Sequence, residues 1–362
     1  MSPSTRMRIS QVIPVLRLEI RKSFFSKRGL WIYLLALAPL LIIGGHSIEA
    51  TRRLDNRDRL HRSHPGVTAE KLRSIRTGMT REELVSKLGE PGNPFKFRRR
   101  IRGELRERES FQYSDGRSIA YVDVENGRVL RYRMRSSFNP LEDTRIYAGI
   151  FQFFFIRLCV FFGCVLVFIN LFRGEMLDKS LHYYFLAPVR REVVVAGKYL
   201  AGLLATAVIF GTSVALQNYV WLSHFDEQIT QEYLRGDGWY HVLSYTGVTV
   251  LACAGYGAVF LAAGVLIRNP LVPAVAMLLW ESANPILPTA LARISVIHYL
   301  KSLCPVEVPV DPGMPPVIAA LVINGDPAAP WVAIGGVLAV ALGVLLVAAW
   351  RSRRLEIAYG GD

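Results

Sequence analysis

Residues 173–198 read RGEMLDKSLHYYFLAPVRREVVVAGK and sit between two long apolar runs. The segment opens with Arg173, Glu175, Asp178 and Lys179. It turns apolar and aromatic through Leu181, Tyr183, Tyr184, Phe185 and Leu186, breaks at Pro188, and continues with Arg190, Arg191 and Lys198. That order predicts a short amphipathic helix, a proline-marked turn and entry into a new apolar helix. Such a segment fits a helix lying at a membrane surface, with one face open to a soluble partner.

The surroundings give it that context. The chain has 362 residues, 51% hydrophobic and 20% charged. The charges gather at the N-terminus, in 49–145 and in short loops, and the remainder holds runs of about 20 apolar residues, the length that spans a bilayer. The expected fold class is a polytopic α-helical membrane protein with six transmembrane helices and one inserted small α+β domain. The formal charge is +14, and 49–145 alone carries 23 Lys and Arg against 15 Asp and Glu. Next to membrane spans such a balance points to anionic lipid and orientation control. No groove-reading motif makes nucleic acid a partner. The four cysteines form neither a disulfide framework nor a zinc spacing.

In residues 1–29, Val12, Ile13, Leu16, Ile20 and Phe24 keep helical spacing among seven basic residues and one acid, Glu19. A cytoplasmic amphipathic helix is expected there. About 29 residues precede the first apolar run, too long an n-region for a signal peptide. The run at 30–48 is therefore expected to stay as the first span. Further spans are expected at Ile146–Phe172, Leu200–Trp221, Val242–Ile267, from Leu271 with interruptions at Glu281, Asn284, Pro285 and Pro288, and at Trp331–Trp350, with a short tail at 355–362. Basic residues concentrate at the N-terminus, in 173–198, at Arg268 and after Trp350, which places both ends inside. The insert lies outside, because loops beyond about 60 residues cross largely regardless of charge.

Residues 49–145 begin with a polar stretch that reads as a linker, followed by a short helix at Thr68–Ile75. Thr80 and Glu83 form a T-x-x-E capping box, Gly89 suits a helix C-cap and Pro91 stops the helix. Three strands are expected at 108–114, 117–124 and 128–134, joined at Asp115-Gly116 and Asn126-Gly127. Ile75, Gly78, Met79, Thr80, Glu83, Leu84, Leu88, Gly89 and Pro91 ahead of this meander resemble the SmpA/OmlA/BamE family of outer-membrane assembly lipoproteins. A span replaces the lipoprotein signal, so the resemblance implies the small fold and an extracytoplasmic protein contact, and no outer-membrane role.

The whole layout resembles the type-2 ABC exporter permeases: amphipathic helix, six spans, a large outer loop after the first and a cytoplasmic loop after the second. The family's loop motif, E-x-x-x-G-x-L-x-x-L-x-x-x-P-(V/I)-x-R followed by a Lys, is matched by Glu175, Leu181, Phe185 or Leu186, Pro188, Val189, Arg190 and Lys198. The family's Gly is replaced near Lys179–Ser180. The resemblance covers roughly 1–48 and 146–354. It implies a bacterial inner-membrane location, a homodimer or a pair of permeases, and a separate ABC ATPase subunit. That subunit would push on 175–186, with Pro188 fixing the turn and Arg190 and Arg191 contacting lipid headgroups or the ATPase. The chain has no G-x-x-x-x-G-K-[ST] phosphate loop, so ATP would be bound by the partner and no cofactor by this chain.

Two charges fall inside expected spans. Arg157 and Glu281 lie about 22 Å and 17 Å from the cytoplasmic ends of theirs. A lone charge at mid-bilayer costs about 2.5–3.5 kcal/mol on insertion scales, so an Arg157–Glu281 pair beside a translocation pathway, with Asn284 nearby, is one expectation. Separate snorkelling is the other. Gln152, Gln217 and Asn218 serve equally well as interior-facing groups or as helix–helix contacts. His224, His241 and His298 are scattered, and no catalytic constellation or metal site is expected. The rival functional reading is a membrane-anchored envelope assembly or sensor protein acting through 49–145.

Overall fold

The computed structural model describes residues 14, 16, 17, 19, 20, 29–91, 95–101, 104–136, 140–177, 190–267, 269, 271–284, 287–308, 315 and 327–353. The protein is mostly helical and embedded in a membrane. Five of its helices are long and apolar enough to cross a bilayer, and a small antiparallel sheet accompanies them. The chain divides into two compact units, Met1–Gly44 with Thr144–Asp362, and Gly45–Asp143.

The helical unit takes the first half of α1 (Gly29–Ser63), followed by α4 over 140–177. It continues with α5 (Arg191–Leu222), α6 (Glu227–Tyr233), α7 (Trp239–Leu266), α8 (Leu271–Ala283), α9 (Thr289–Ala292), α10 (Val296–Ser302) and α11 (Pro330–Arg353). The most enclosed helix is α7, whose Cys253, Tyr256, Phe260 and Leu261 are buried. Small residues let its neighbours close in. A Cβ on Gly257 would stand 2.4 Å from the Phe168 ring, and one on Gly264 would stand 2.9 Å from the carbonyl oxygen of Ile169. Helices in lipid pack this way because apolar tails give them no hydrophobic incentive to associate, and close backbone contact takes its place. The outward faces of α1 (Leu30, Leu34, Leu37, Leu41) and α11 (Leu338, Leu342, Leu346) are exposed and apolar, as a lipid-facing surface requires.

The expected second span lies within α4, which is π-helical at Ile150–Val160 and Val165–Ile169. The third begins nine residues earlier than expected, at Arg191 rather than Leu200. The fifth departs most. Helix α8 has 13 residues, about 20 Å against a hydrocarbon core of about 30 Å, and the chain then turns through α9 into α10. Five helices of spanning length, not six, are present among the described residues. Of the amphipathic helix expected at 1–29, Pro14, Leu16, Arg17, Glu19 and Ile20 are described and helical; Val12, Ile13 and Phe24 lie outside the described residues.

The second unit corrects two expectations. The stretch from 49 is no linker: α1 continues through it to Ser63, aided by an Arg53–Glu49 ion pair at 2.9 Å and by Asn56, which donates to Gln112 Oε1 at 3.0 Å. The sheet has four strands, not three, in the order β1 (Phe95–Ile101), β2 (Glu104–Ser114), β3 (Ser118–Glu125), β4 (Arg128–Ser136). Strand β1 reads FKFRRRI and carries no period-2 apolar signal beyond its first three residues. Its antiparallel pairing with β2, from Phe95–Ser110 to Ile101–Glu104, rests on the backbone.

Helices α2 (Ala69–Arg73) and α3 (Arg81–Leu88) cover one face of this sheet, where Leu72, Ile75, Leu84 and Leu88 meet Phe111, Tyr113, Val122 and Val124. The capping box forms in both directions, Glu83 N to Thr80 Oγ1 at 3.2 Å and Thr80 N to Glu83 Oε2 at 3.0 Å. Gly78 adopts φ +92°, which lets Gly78 N reach Val129 O and Val129 N reach Met79 O, each at 2.8 Å. The Gly-Met-Thr sequence thus adds a short backbone tie to β4 before the helix starts. Asn126 and Gly127 both take positive φ in the two-residue turn between β3 and β4, as a type I′ hairpin demands.

Candidate functional site

Two clusters in the helical unit gather the polar residues that an apolar interior would otherwise exclude. The first surrounds Lys198, two turns into α5. Its ammonium is fully buried and donates to Glu19 Oε1 at 2.6 Å, with the Glu19 side chain also buried. The same nitrogen stands 5.5 Å from the centre of the Phe172 ring, a cation–π contact with a residue in the last turns of α4. Two turns before Lys198, at the start of α5, Arg191 donates to the carbonyls of Ser352 and Arg353, each at 3.3 Å, and Arg353 pairs with Glu192 at 2.8 Å. The N-terminal helix, the end of α4 and the end of α11 therefore all meet α5 within its first two turns. Burying Lys198 costs several kcal/mol of desolvation, which the paired carboxylate offsets.

The second cluster is built on Glu281, near the end of α8. Its carboxylate accepts from Val296 N at 3.1 Å, Ile297 N at 2.8 Å, Ser295 Oγ at 2.9 Å and Tyr256 Oη at 3.4 Å. The chain between 284 and 294 thus returns to its own carboxylate. Glu281 satisfies the first N–H groups of α10, where the helix dipole also favours negative charge. Ser295 occupies the N-cap position, yet its hydroxyl serves the carboxylate rather than the helix. Asn284 donates to Ala292 O at 3.1 Å and holds the turn between α8 and α9.

Arg157 is buried in the π-helical part of α4, within electrostatic range of Tyr256, Glu281 and Lys301. Gln152, a turn and a half earlier, donates to Val306 O at 3.0 Å. The structure thus brings Arg157, Glu281 and Asn284 into one region with Tyr256, Ser295 and Lys301. Gln217 donates to Ser213 Oγ at 3.0 Å, whose hydroxyl in turn reaches Ala36 O of α1, and Asn218 donates to Val214 O at 2.9 Å.

Of the loop residues, Arg190 is exposed as the N-cap of α5 and Arg191 is tied to α11. Glu175 lies in the final turns of α4, its side chain outside the described residues, and Leu181, Phe185 and Pro188 lie outside them entirely. Sequence reasoning missed four participants. Glu19 was visible as the single acid among seven bases, the signal of a carboxylate with a specific partner. Ser295 ahead of an apolar run is an N-cap signal. Tyr256 and Lys301 carried none. No protein-family model, curated protein or solved structure matches this chain.

Proposed function

We propose that the chain is the membrane-spanning permease subunit of an ABC exporter, driven by a separate ATPase on the cytoplasmic side. The observation that carries this reading is the convergence at Lys198. A push on the segment that joins α4 to α5 would reach Phe172 near the end of α4 and Lys198 two turns into α5. From Lys198 it would pass through Glu19 to the N-terminal helix, and from Arg191 to the end of α11. A subunit that converts a partner's motion into rearrangement of its spans needs such a junction.

In this reading Glu175, Leu181, Phe185, Pro188 and Arg190 face the ATPase, and the functional unit is a homodimer or a pair of permeases. Both termini are cytoplasmic, α8 with its return through α10 stands for the fifth of six spans, and Gly45–Asp143 is extracytoplasmic. The bacterial inner membrane is the corresponding location. Arg157, Glu281 and Asn284 then lie beside the translocation pathway, since ionisable groups within spans face the bundle interior or a water-filled cavity.

The test is whether an ATPase co-purifies with the full-length chain from its native membranes. Changing Glu175→Ala or Pro188→Ala is expected to lower the complex's ATP turnover while the permease still accumulates. Turnover indifferent to both changes, or no ATPase retained, overturns the reading. Labelling an Arg117→Cys variant, exposed on the turn after β2, tests sidedness: modification from the cytosolic side alone would reverse the topology.

A further inference from the structure

The sheet of the Gly45–Asp143 unit has a second face, opposite the one covered by α2 and α3. Strand pairing aligns Gln112 with Tyr121 and Arg133, and Ser110 with Asp123 and Arg131. Because side chains alternate along a strand, these residues share the face opposite Phe111 and Val122. Arg135 continues the β4 row, so Arg131, Arg133 and Arg135 stand about 7 Å apart along one strand.

The later part of α1 forms the opposite wall, fastened by the Asn56–Gln112 hydrogen bond at 3.0 Å. Between the two walls lies a groove of about 540 Å³. It is lined by Glu49, Arg52, Arg53 and Asn56 from α1 and by Ser110, Tyr121, Asp123 and the three β4 arginines from the sheet.

The charge balance of this groove is uneven. Its two acids are already engaged, Glu49 by Arg53 at 2.9 Å and Asp123 by Arg108 at 3.0 Å. Arg52, Arg131, Arg133 and Arg135 line the same space with no acidic partner among the described residues. Four exposed arginines lining one concave surface give it a positive potential that favours an anion. A guanidinium offers a planar fork of N–H donors matched to phosphate oxygens. Tyr121, Ser110 and Asn56 add neutral hydrogen-bonding groups that fix orientation. The volume is within the range of small-ligand sites and exceeds what a bare phosphate fills. The α1 wall also follows directly on Ile48, the last apolar residue of the first membrane run, in the same helix.

We propose that this groove is a binding site for a phosphate-bearing group of headgroup or sugar-phosphate size, held by Arg52, Arg131, Arg133 and Arg135. The phosphate can belong to a lipid headgroup or to a soluble ester, and one experiment separates the two. Full-length protein in uncharged detergent is titrated calorimetrically with inorganic pyrophosphate, with short-chain phosphatidic acid and with short-chain phosphatidylcholine.

Binding of pyrophosphate and phosphatidic acid, at least tenfold tighter than of phosphatidylcholine, is expected. Phosphatidic acid alone assigns the site to lipid, and pyrophosphate alone to a soluble ligand; either supports the proposal. The R131Q/R133Q variant is expected to weaken binding at least tenfold, and Arg52→Gln on the other wall several-fold. Arg117→Gln, on the turn outside the groove, leaves it unchanged. If the double variant melts differently from the parent, the exposed single change Arg52→Gln decides alone. Absence of binding by pyrophosphate and phosphatidic acid alike, or wild-type affinity in the deciding variant, overturns the proposal.

Discussion

Lys198 Nζ donates to Glu19 Oε1 across 2.6 Å, joining two positions 179 residues apart in a place closed to solvent. Removing either partner leaves a buried charge without compensation, a loss of about 3–5 kcal/mol. Lys198→Met or Glu19→Gln is therefore expected to lower the melting temperature of the detergent-solubilised protein sharply. The Glu19→Leu/Lys198→Met double variant recovers most of that loss, because no charge remains to be paired. A double variant as unstable as the worse single one would deny the pair its role.

Glu281 supplies the acceptor for two backbone N–H groups of α10. Glu281→Gln keeps the shape and one carbonyl oxygen but loses the charge, and should cost about 1.5–3 kcal/mol, the range for hydrogen bonds to charged groups. Whether Arg157 shares this carboxylate is read from R157E/E281R. Recovery of stability beyond either single variant in melting experiments supports the pair, and no recovery assigns Glu281 to α10 alone.

Thr80 caps α3 through its hydroxyl. Thr80→Ala is expected to destabilise the Gly45–Asp143 unit by about 1 kcal/mol, seen as faster amide exchange over 81–88 in the full chain. Thr80→Ser keeps the bond and should leave the exchange rate near that of the parent.

Tyr113 is buried under α3 and donates to Gly89 O at 3.1 Å. Burial, aided by the nearby Glu90 charge and opposed by Arg81, pushes its pKa up to about 12. The folded state then holds this proton more tightly than the unfolded one. Its contribution is complete below about pH 10 and declines as pH rises from there toward 12. Tyr113→Phe should cost about 1 kcal/mol at neutral pH through the lost hydrogen bond. The gap between the two proteins should narrow in melts above pH 10, and a constant gap would contradict the assignment.

Gly264 lies where an added Cβ would press on the backbone of Ile169, which cannot swing away as a side chain can. Gly264→Ala is expected to destabilise the helical unit by about 1–3 kcal/mol. Gly211, in α5 with nothing within 4 Å of such a Cβ, is the control. Gly211→Ala should be neutral or stabilising by up to about 1 kcal/mol, since alanine favours the helix.

Much of this architecture was legible in residue order alone. Apolar runs long enough for a bilayer, the T-x-x-E box at Thr80 and the Asn126-Gly127 turn are local patterns, and local physics produces them wherever they occur. Strand β1 and the second half of α1 were not legible, because arginine-rich segments carry no hydrophobic period. Their state was decided by backbone pairing with β2 and by Asn56 reaching Gln112.

By itself, the sequence determined a helical membrane protein with an inserted domain bearing three of its four strands, and it singled out Arg157 and Glu281 as costly charges in apolar surroundings and Lys198 as the lysine that enters the third span. Only the tertiary structure decided where those charges go: Lys198 to a carboxylate 179 residues away, and Glu281 to the backbone of a helix that begins 15 residues later. Periodicity follows from the geometry of one helix or strand and can be read along the chain. The partner of a buried charge follows from which elements pack together, and that depends on close contacts such as Gly264 on Ile169 that no single segment encodes.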